Sequence, residues 1–257
     1  MILALDIGNT ETTLGLFENE VLSRRWSVST SLKRTSDEWA VLIKMLFEGE
    51  KYSVSELSGV AVSSVVPPVD FNIKNAFLKH FGMDALFVGP GVKTGVNILY
   101  ENPLEVGADR VVNAAAVIKL YQLPCIVIDF GTATTFDFVD KGGNYFGGVI
   151  CPGLNISAEA LFTKTAKLPK VEIGKPKKVI GKTTVSSIQS GLFYGYISMV
   201  EGVVKRIKGE VGEVSTVVAT GGISPLLSPE CSFIDDVDED LTLKGLKIIY
   251  DKNRERI

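Results

Sequence analysis

Two aspartates, Asp6 and Asp129, stand in nearly the same phrase about half a chain apart: ALDIGNTETTLGLF over residues 4–17 and VIDFGTATTFDFV over residues 127–139. Each phrase is an apolar run, an Asp, one apolar residue, a Gly, a cluster of small hydroxyl-bearing residues and a second apolar run. A carboxylate at a strand end holds a cation directly or through water, while the N–H groups of a Gly turn and neighbouring hydroxyls donate to phosphate oxygens. The residue types therefore suit a metal-bound polyphosphate, and two copies suit a nucleotide gripped by two hairpins. Gly8-Asn9 and Gly131-Thr132 also serve ordinary hairpin turns. Duplication with the same flanks, and Thr220-Gly221-Gly222 after a late strand, favour the clamp.

The elements that must position these residues repeat as well. Ile2–Ile7 and Thr12–Phe17 read as a hairpin, Val21–Ser29 as a third strand, and Ser36–Glu48 as a helix whose apolar face is Trp39, Leu42, Ile43, Leu46 and Phe47, capped by Ser36 or Asp37. Gly59–Val66 is a buried-type strand ended by two prolines, Val69–Phe81 a helix, and Val106–Tyr121 another. The order then begins again: Cys125–Phe130 and Thr134–Val139 form a hairpin, Tyr145–Ile150 a third strand, Leu154–Phe162 a helix. A long helix over Ser186–Ile207, a strand over Thr216–Ala219 and a closing helix over Leu241–Asp251 complete the chain. Two domains are expected, 1–115 and 116–257.

Bulk properties narrow the classes of function. The 257 residues are 46% hydrophobic, enough for one large domain or two small ones, with the repeat favouring two, and 27 basic against 30 acidic residues leave a net charge of −3. Nothing in that balance invites nucleic acid or an anionic membrane. Cys125, Cys151 and Cys231 are scattered and form no CxxC pair, so neither a disulfide framework nor a zinc site is indicated. Asp6 interrupts what would be the apolar region of an export signal, and Lys119, Gln122, Pro124 and Asp129 interrupt the apolar stretch around 111–130. The expectation is a cytoplasmic protein.

Three features are decoys. Gly181-Lys182-Thr183 imitates the end of a P-loop, but Pro176 stands where its first glycine belongs. Asp129-Phe130-Gly131 spells the metal-binding triplet of protein kinases, whose other motifs are absent. His80, the only histidine, sits beside Lys79 near a helix C-terminus, where a solvated cation is favoured over a base.

The organisation resembles the actin, sugar kinase and heat-shock ATPase superfamily. Within it, Asp6-Ile7-Gly8-Asn9-Thr10, Glu105-Val106-Gly107-Ala108-Asp109-Arg110, Asp129-Phe130-Gly131-Thr132-Ala133-Thr134-Thr135, Thr165-Ala166-Lys167-Leu168-Pro169 and Asp240-Leu241-Thr242-Leu243-Lys244-Gly245 are similar to the phrases of type III pantothenate kinases. The resemblance covers residues 1 to about 250. It implies an α/β fold of duplicated actin-like (ribonuclease H-like) domains with ATP in the cleft between them, and transfer of the γ-phosphoryl group to pantothenate, giving 4'-phosphopantothenate.

The resemblance also implies roles. Asp6, Ile7, Gly8, Asn9, Thr10, Glu11, Thr12 and Thr13 would form the first phosphate loop, with Asp6 holding Mg2+ through water. Thr132 would contact ATP, Gly221 and Gly222 would border the adenosine, and Asp129 would ligate potassium or ammonium. Tyr100, Gly107, Ala108, Asp109, Arg110 and Thr184 would form the pantothenate site, with Asp109 as general base and Arg110 as partner of a carboxylate or phosphate. The active unit would be a homodimer whose pocket takes Asp109 from one chain and Thr184 from the other.

Taken alone, Gly107–Arg110 also reads as a helix start, with Asp109 favoured by the helix dipole. Tyr100 could pack a loop. Glu11 and Thr183 stand where relatives often carry other residues. Two further readings stay open at this stage: a non-catalytic nucleotide-binding regulator of transcription, and an actin-fold kinase for another small hydroxy acid.

Overall fold

The computed structural model describes residues 1–256 and forms two compact units. The first gathers Met1–Val96, Glu101–Lys119 and the segment from Leu241 onward; the second holds Asn97–Tyr100 and Leu120–Asp240. The closing helix thus clusters with the unit that opens the chain.

In chain order the elements are β1 (Ile2–Ile7), β2 (Glu11–Glu18), β3 (Val21–Ser29), α1 (Ser36–Gly49), β4 (Gly59–Ser64), α2 (Pro67–Phe81), β5 (Ala85–Phe87), β6 (Asn97–Ile98) and α3 (Ala108–Leu120). There follow β7 (Cys125–Phe130), β8 (Ala133–Val139), β9 (Asn144–Pro152), α4 (Leu154–Thr163), α5 (Thr184–Val211), β10 (Thr216–Thr220), α6 (Ser224–Leu227), β11 (Asp236–Val237) and α7 (Leu241–Asn253).

The first unit's sheet has the order β3-β2-β1-β4-β5, an antiparallel meander whose first strand also pairs in parallel with β4. The second unit repeats the device in β11-β10-β7-β8-β9-β6: β7, β8 and β9 are the meander, and β10 runs parallel to β7. The equivalence reaches single residues. Asp6 lies opposite Thr13 and Ser63, and Asp129 opposite Thr135 and Thr220.

Alternation along β1 and β4 divides the first unit into two apolar layers. Leu3, Leu5, Ile7, Val60 and Val62 pack with Trp39, Ile43, Ile73 and Phe77 of α1 and α2. On the other face, Ile2, Ala4 and Ala61 meet Val112 and Ala115 of α3 and Leu243, Leu246 and Ile249 of α7. In the second unit Ile126, Ile128, Val217 and Ala219 pack against Phe193, Ile197, Val200 and Val204 of α5.

Among the boundaries that differ from the sequence reading, two have a clear local cause. The cap of α1 is Thr35, whose hydroxyl accepts from the Glu38 N–H while the Glu38 carboxylate accepts from the Thr35 N–H. The Pro67-Pro68 pair opens α2 instead of merely ending a strand, because proline is preorganised for the first helical turn and its missing N–H has no partner there anyway.

Candidate active site

Asp6 is the penultimate residue of β1, half-buried, on the face that carries Ile2 and Ala4 toward α3 and α7. That layer is apolar at the N-terminal ends of the strands and becomes polar at their C-terminal ends, where Asp6 stands above Ala4 and Ser63 above Ala61. Such a crevice at the carboxyl ends of parallel strands is where open α/β sheets bind ligands.

The turn after β1 is closed by the Gly8 N–H donating to Glu11 O at 3.0 Å. Gly8 is half-buried, Asn9, Thr10 and Glu11 are exposed, and Thr13 shares the Asp6 face. Two members of the expected phosphate loop turn away. The Ile7 side chain belongs to the α1/α2 core, leaving only its backbone for a ligand. Thr12 is fully buried, and its hydroxyl pairs at 2.8 Å with that of Thr30, which donates at 2.7 Å to Gly8 O. Thr12 therefore braces the turn from behind.

α3 opens at the same end of the sheet. A β-carbon placed on Gly107 would lie 3.6 Å from Val65 Cγ1, just beyond β4, and 2.4 Å from Asp109 Oδ1. Asp109 is half-buried, and its Oδ1 accepts from the Arg110 N–H at 2.8 Å, so this carboxylate does cap its own helix. A carboxylate offers about four acceptor positions, which leaves the capping bond compatible with accepting a proton. Arg110 is buried, as is Asn113 one turn further along. Asp6, Ser63 and Asp109 thus belong to one edge of one unit.

In the second unit, Asp129 lies beside Thr135 and Thr220 in the sheet. The Thr135 hydroxyl donates to Asp137 Oδ2 at 2.9 Å, and Asp137 Oδ1 accepts from the Tyr145 hydroxyl at 2.8 Å. With its proton committed to Asp137, the Thr135 oxygen keeps only acceptor lone pairs for a further partner, which suits a cation. Asp137, fully buried, escaped the sequence reading. Its signal was a carboxylate between Phe136 and Phe138, at the alternate position to a core pair.

Thr132 is half-buried in the β7–β8 turn, where its carbonyl accepts from the Gly153 N–H at 3.1 Å. Gly221 has φ +91° and a β-carbon there would meet the Phe130 carbonyl oxygen at 2.6 Å, so the chain itself demands glycine. Gly222 faces open space. Tyr100 is half-buried, its ring 6.5 Å from that of Tyr145. Thr184 is exposed at the first position of α5, whose cap is Thr183, and borders a concavity of about 850 Å³ with Leu161, Leu168, Ile188 and Leu192. His80 lies apart, its Nε2 2.6 Å from Asp37, a carboxylate it shares with Lys79.

The donors at Asp6 (carboxylate, Thr13, Ser63) and at Asp129 (carboxylate, Thr135, Thr220) are all oxygens, which suits hard cations. Among the described residues no three His, Cys, Asp or Glu cluster into a metal site. One carboxylate per site fits Mg2+ held largely by water and phosphate.

Duplicated meanders with a carboxylate at the end of each first strand define an actin-like α/β fold. A candidate 2-dehydro-3-deoxygalactonokinase from Sinorhizobium meliloti shares the fold with a TM-score of 0.62 at 10% identity, over 98% of this chain and 99% of that one. The family model described as type III pantothenate kinase matches residues 2–206. Type III pantothenate kinases of Bacillus cytotoxicus and Halalkalibacterium halodurans are 51% and 49% identical over 98% of this chain and 97% and 100% of their own lengths. The chain belongs to the type III pantothenate kinase family.

Proposed function

We propose that this chain is an ATP-dependent pantothenate kinase, transferring the γ-phosphoryl group to the primary hydroxyl of pantothenate at the start of coenzyme A synthesis. The observation that carries the reading is the Gly107 turn, which sets the start of α3 and Asp109 beside Val65 just past β4, in the same unit and at the same sheet edge as Asp6. Phosphoryl transfer asks the protein mainly for positioning and charge stabilisation, with one group to take the hydroxyl proton.

In this reading Asp109 accepts that proton, and buried Arg110 pairs with the substrate carboxylate or a phosphate oxygen. Gly8, Asn9, Thr10 and Thr13 bind phosphate oxygens; Ile7 contributes backbone only, Thr12 acts as a brace, and Glu11 stays at the solvent rim. Thr132, Gly221 and Gly222 face the nucleotide; Tyr100, Gly107, Ala108 and Thr184 face pantothenate. Asp6 would hold Mg2+ through water, and Asp129 with Thr135 would hold potassium or ammonium; bound there, these cations offset phosphate charge. Retention of Asp6, Asp109 and Asp129 together favours catalysis over a purely regulatory role.

The division into halves 1–115 and 116–257 is kept as the boundary of the duplication, with α7 returning to the first unit. We also propose a homodimer whose pocket combines Asp109 of one chain with Thr184 of the other. Exposed Phe146 and Ile150 on β9, Phe162 on α4 and Val185 on α5 support a subunit contact.

The test is ATP-dependent formation of 4'-phosphopantothenate with potassium, ammonium or sodium as the only monovalent cation. Product in potassium or ammonium and little in sodium is expected. No product with any cation overturns the kinase reading, and equal rates in all three overturn the role of Asp129.

A further inference from the structure

Ser63 is fully buried on β4, and among the described residues its Oγ has no hydrogen-bond partner. A buried hydroxyl left unsatisfied costs stability, which alanine at the same position would not. The neighbouring Ser64 is a useful contrast. Its hydroxyl donates to Asp70 Oδ1 at 2.5 Å and accepts from the Val66 N–H at 3.1 Å, so it is consumed in starting α2.

The place of Ser63 says what the unused hydroxyl is for. Ser63 is the register partner of Asp6 on the adjacent parallel strand, and alternation puts both on the α3/α7 face. Directly below them that face carries Ala61 and Ala4, and beyond the strand end lies Val65, beside the Gly107 turn that precedes Asp109. The second unit repeats the choice. Thr220 is the register partner of Asp129, while the position below it is Val218. In both copies the layer changes from an apolar residue to a hydroxyl at the one level where an aspartate faces it.

Resting on the kinase reading, we infer that Ser63 is a further binding residue of this site, its Oγ taking a water or phosphoryl oxygen of the Mg2+–nucleotide at Asp6. Pantothenate is not its ligand. The hydroxyl donates to an oxygen that arrives with the nucleotide, and the cost of leaving it unsatisfied is relieved on binding. It takes no part in proton transfer, which belongs to Asp109.

The experiment compares wild type with Ser63→Ala and Ser63→Cys. It measures binding of Mg2+ with a non-hydrolysable ATP analogue by calorimetry, thermal midpoints with and without that ligand, and the KM for pantothenate. Ser63→Ala is expected to bind the Mg2+ analogue roughly tenfold more weakly, the value of one hydrogen bond of about 1.4 kcal/mol. Its free form should melt no lower than wild type, its ligand-induced rise should shrink, and the pantothenate KM should hold within about twofold. Ser63→Cys should fall between the two, thiol being a weaker donor.

Unchanged analogue affinity in Ser63→Ala overturns the inference. So does a lower melting point of the free variant with normal binding, which would make Ser63 a structural residue, and so does a rise confined to the pantothenate KM. Wild type that fails to bind the Mg2+ analogue at all would instead overturn the kinase reading itself.

Discussion

The Thr242 hydroxyl donates to Asn113 Oδ1 at 2.8 Å, joining the closing helix to the helix that carries Asp109 in its first turn. Asn113 is fully buried one turn beyond Asp109, so the bond fixes α3 close to its N-terminal end. Three residues past Thr242, Gly245 lets α7 cross α3 so closely that a β-carbon there would stand 2.3 Å from Val112 O. The phrase Asp240–Gly245 therefore contributes by holding α3, through a hydroxyl and an absent side chain.

Gly245→Ala tests that close crossing. Alanine is the better helix former by about 1 kcal/mol, but its β-carbon meets backbone, which cannot swing aside. Overpacking of this kind costs about 1–3 kcal/mol or more, so net destabilisation is expected, together with a fall in kcat as α3 shifts. Thr242→Val keeps the shape, removes the bond to buried Asn113 Oδ1 and should cost about 1–3 kcal/mol. Urea unfolding at one pH compares the three proteins. Wild-type stability in Gly245→Ala would mean that the helices part freely.

Asp109→Asn separates the capping bond of that carboxylate from its proposed role as base. Asparagine still accepts from the Arg110 N–H and so still caps α3, but it cannot take a proton at neutral pH. Loss of a general base typically costs about 10²–10⁴ in rate. We expect kcat to fall by that order with ATP affinity and unfolding midpoint near wild type. A variant keeping most of its kcat would reduce Asp109 to a helix cap.

Much of this architecture is legible in the chain. Both hairpins follow from β-branched runs around a glycine turn, and the second meander is predicted by repetition of the first. The amphipathic face of α1 also lies close to where its spacing puts it, with Trp39, Ile43 and Phe47 buried. The short strands β5, β6 and β11, two or three residues each, carry too little periodicity to be seen. Ser63 hides inside Ser63-Ser64-Val65-Val66-Pro67-Pro68, which reads only as the end of a strand; its relation to Asp6 exists across a parallel pairing. Asn113 and Thr242 are likewise joined only by the fold. Thr12 was readable. Alternation puts it with Leu14 and Leu16, whereas the motif groups it with Thr10 and Thr13.

Thr12→Val converts that distinction into a measurement. Valine fills the buried volume and removes one side of the Thr12–Thr30 pair, while Thr30 keeps its bond to Gly8 O. A single hydrogen bond is worth about 0.5–1.5 kcal/mol net. Stability should fall by that amount, with kcat and the ATP KM within about twofold of wild type. A tenfold rise in the ATP KM at unchanged stability would return Thr12 to the ligand side of the turn.

The pH dependence of stability should carry the signature of two buried thiols. Burial, offset in part by a backbone hydrogen bond and reinforced by nearby Asp235, pushes Cys125 from 9.0 up to about 12. Burial, with Glu201 and Glu230, pushes Cys231 from 9.0 up to about 11. Both values are raised, so the folded protein keeps protons that the unfolded chain releases. The contribution is fully present below pH 9 and is lost as pH climbs from there through the folded values. For Cys125 the loss is about 1.4 kcal/mol per pH unit once the unfolded thiol has ionised. Cys125→Ala leaves a small cavity and lowers stability at pH 8, but removes this titration, so its stability should decline less steeply than wild type between pH 9 and 10.5. Tyrosines and lysines titrating in the same range are common to both proteins and cancel in the comparison. Urea midpoints at half-unit steps from pH 8 supply the two slopes. Parallel curves would show that the Cys125 thiol titrates alike in the folded and unfolded chains, against its complete burial in β7.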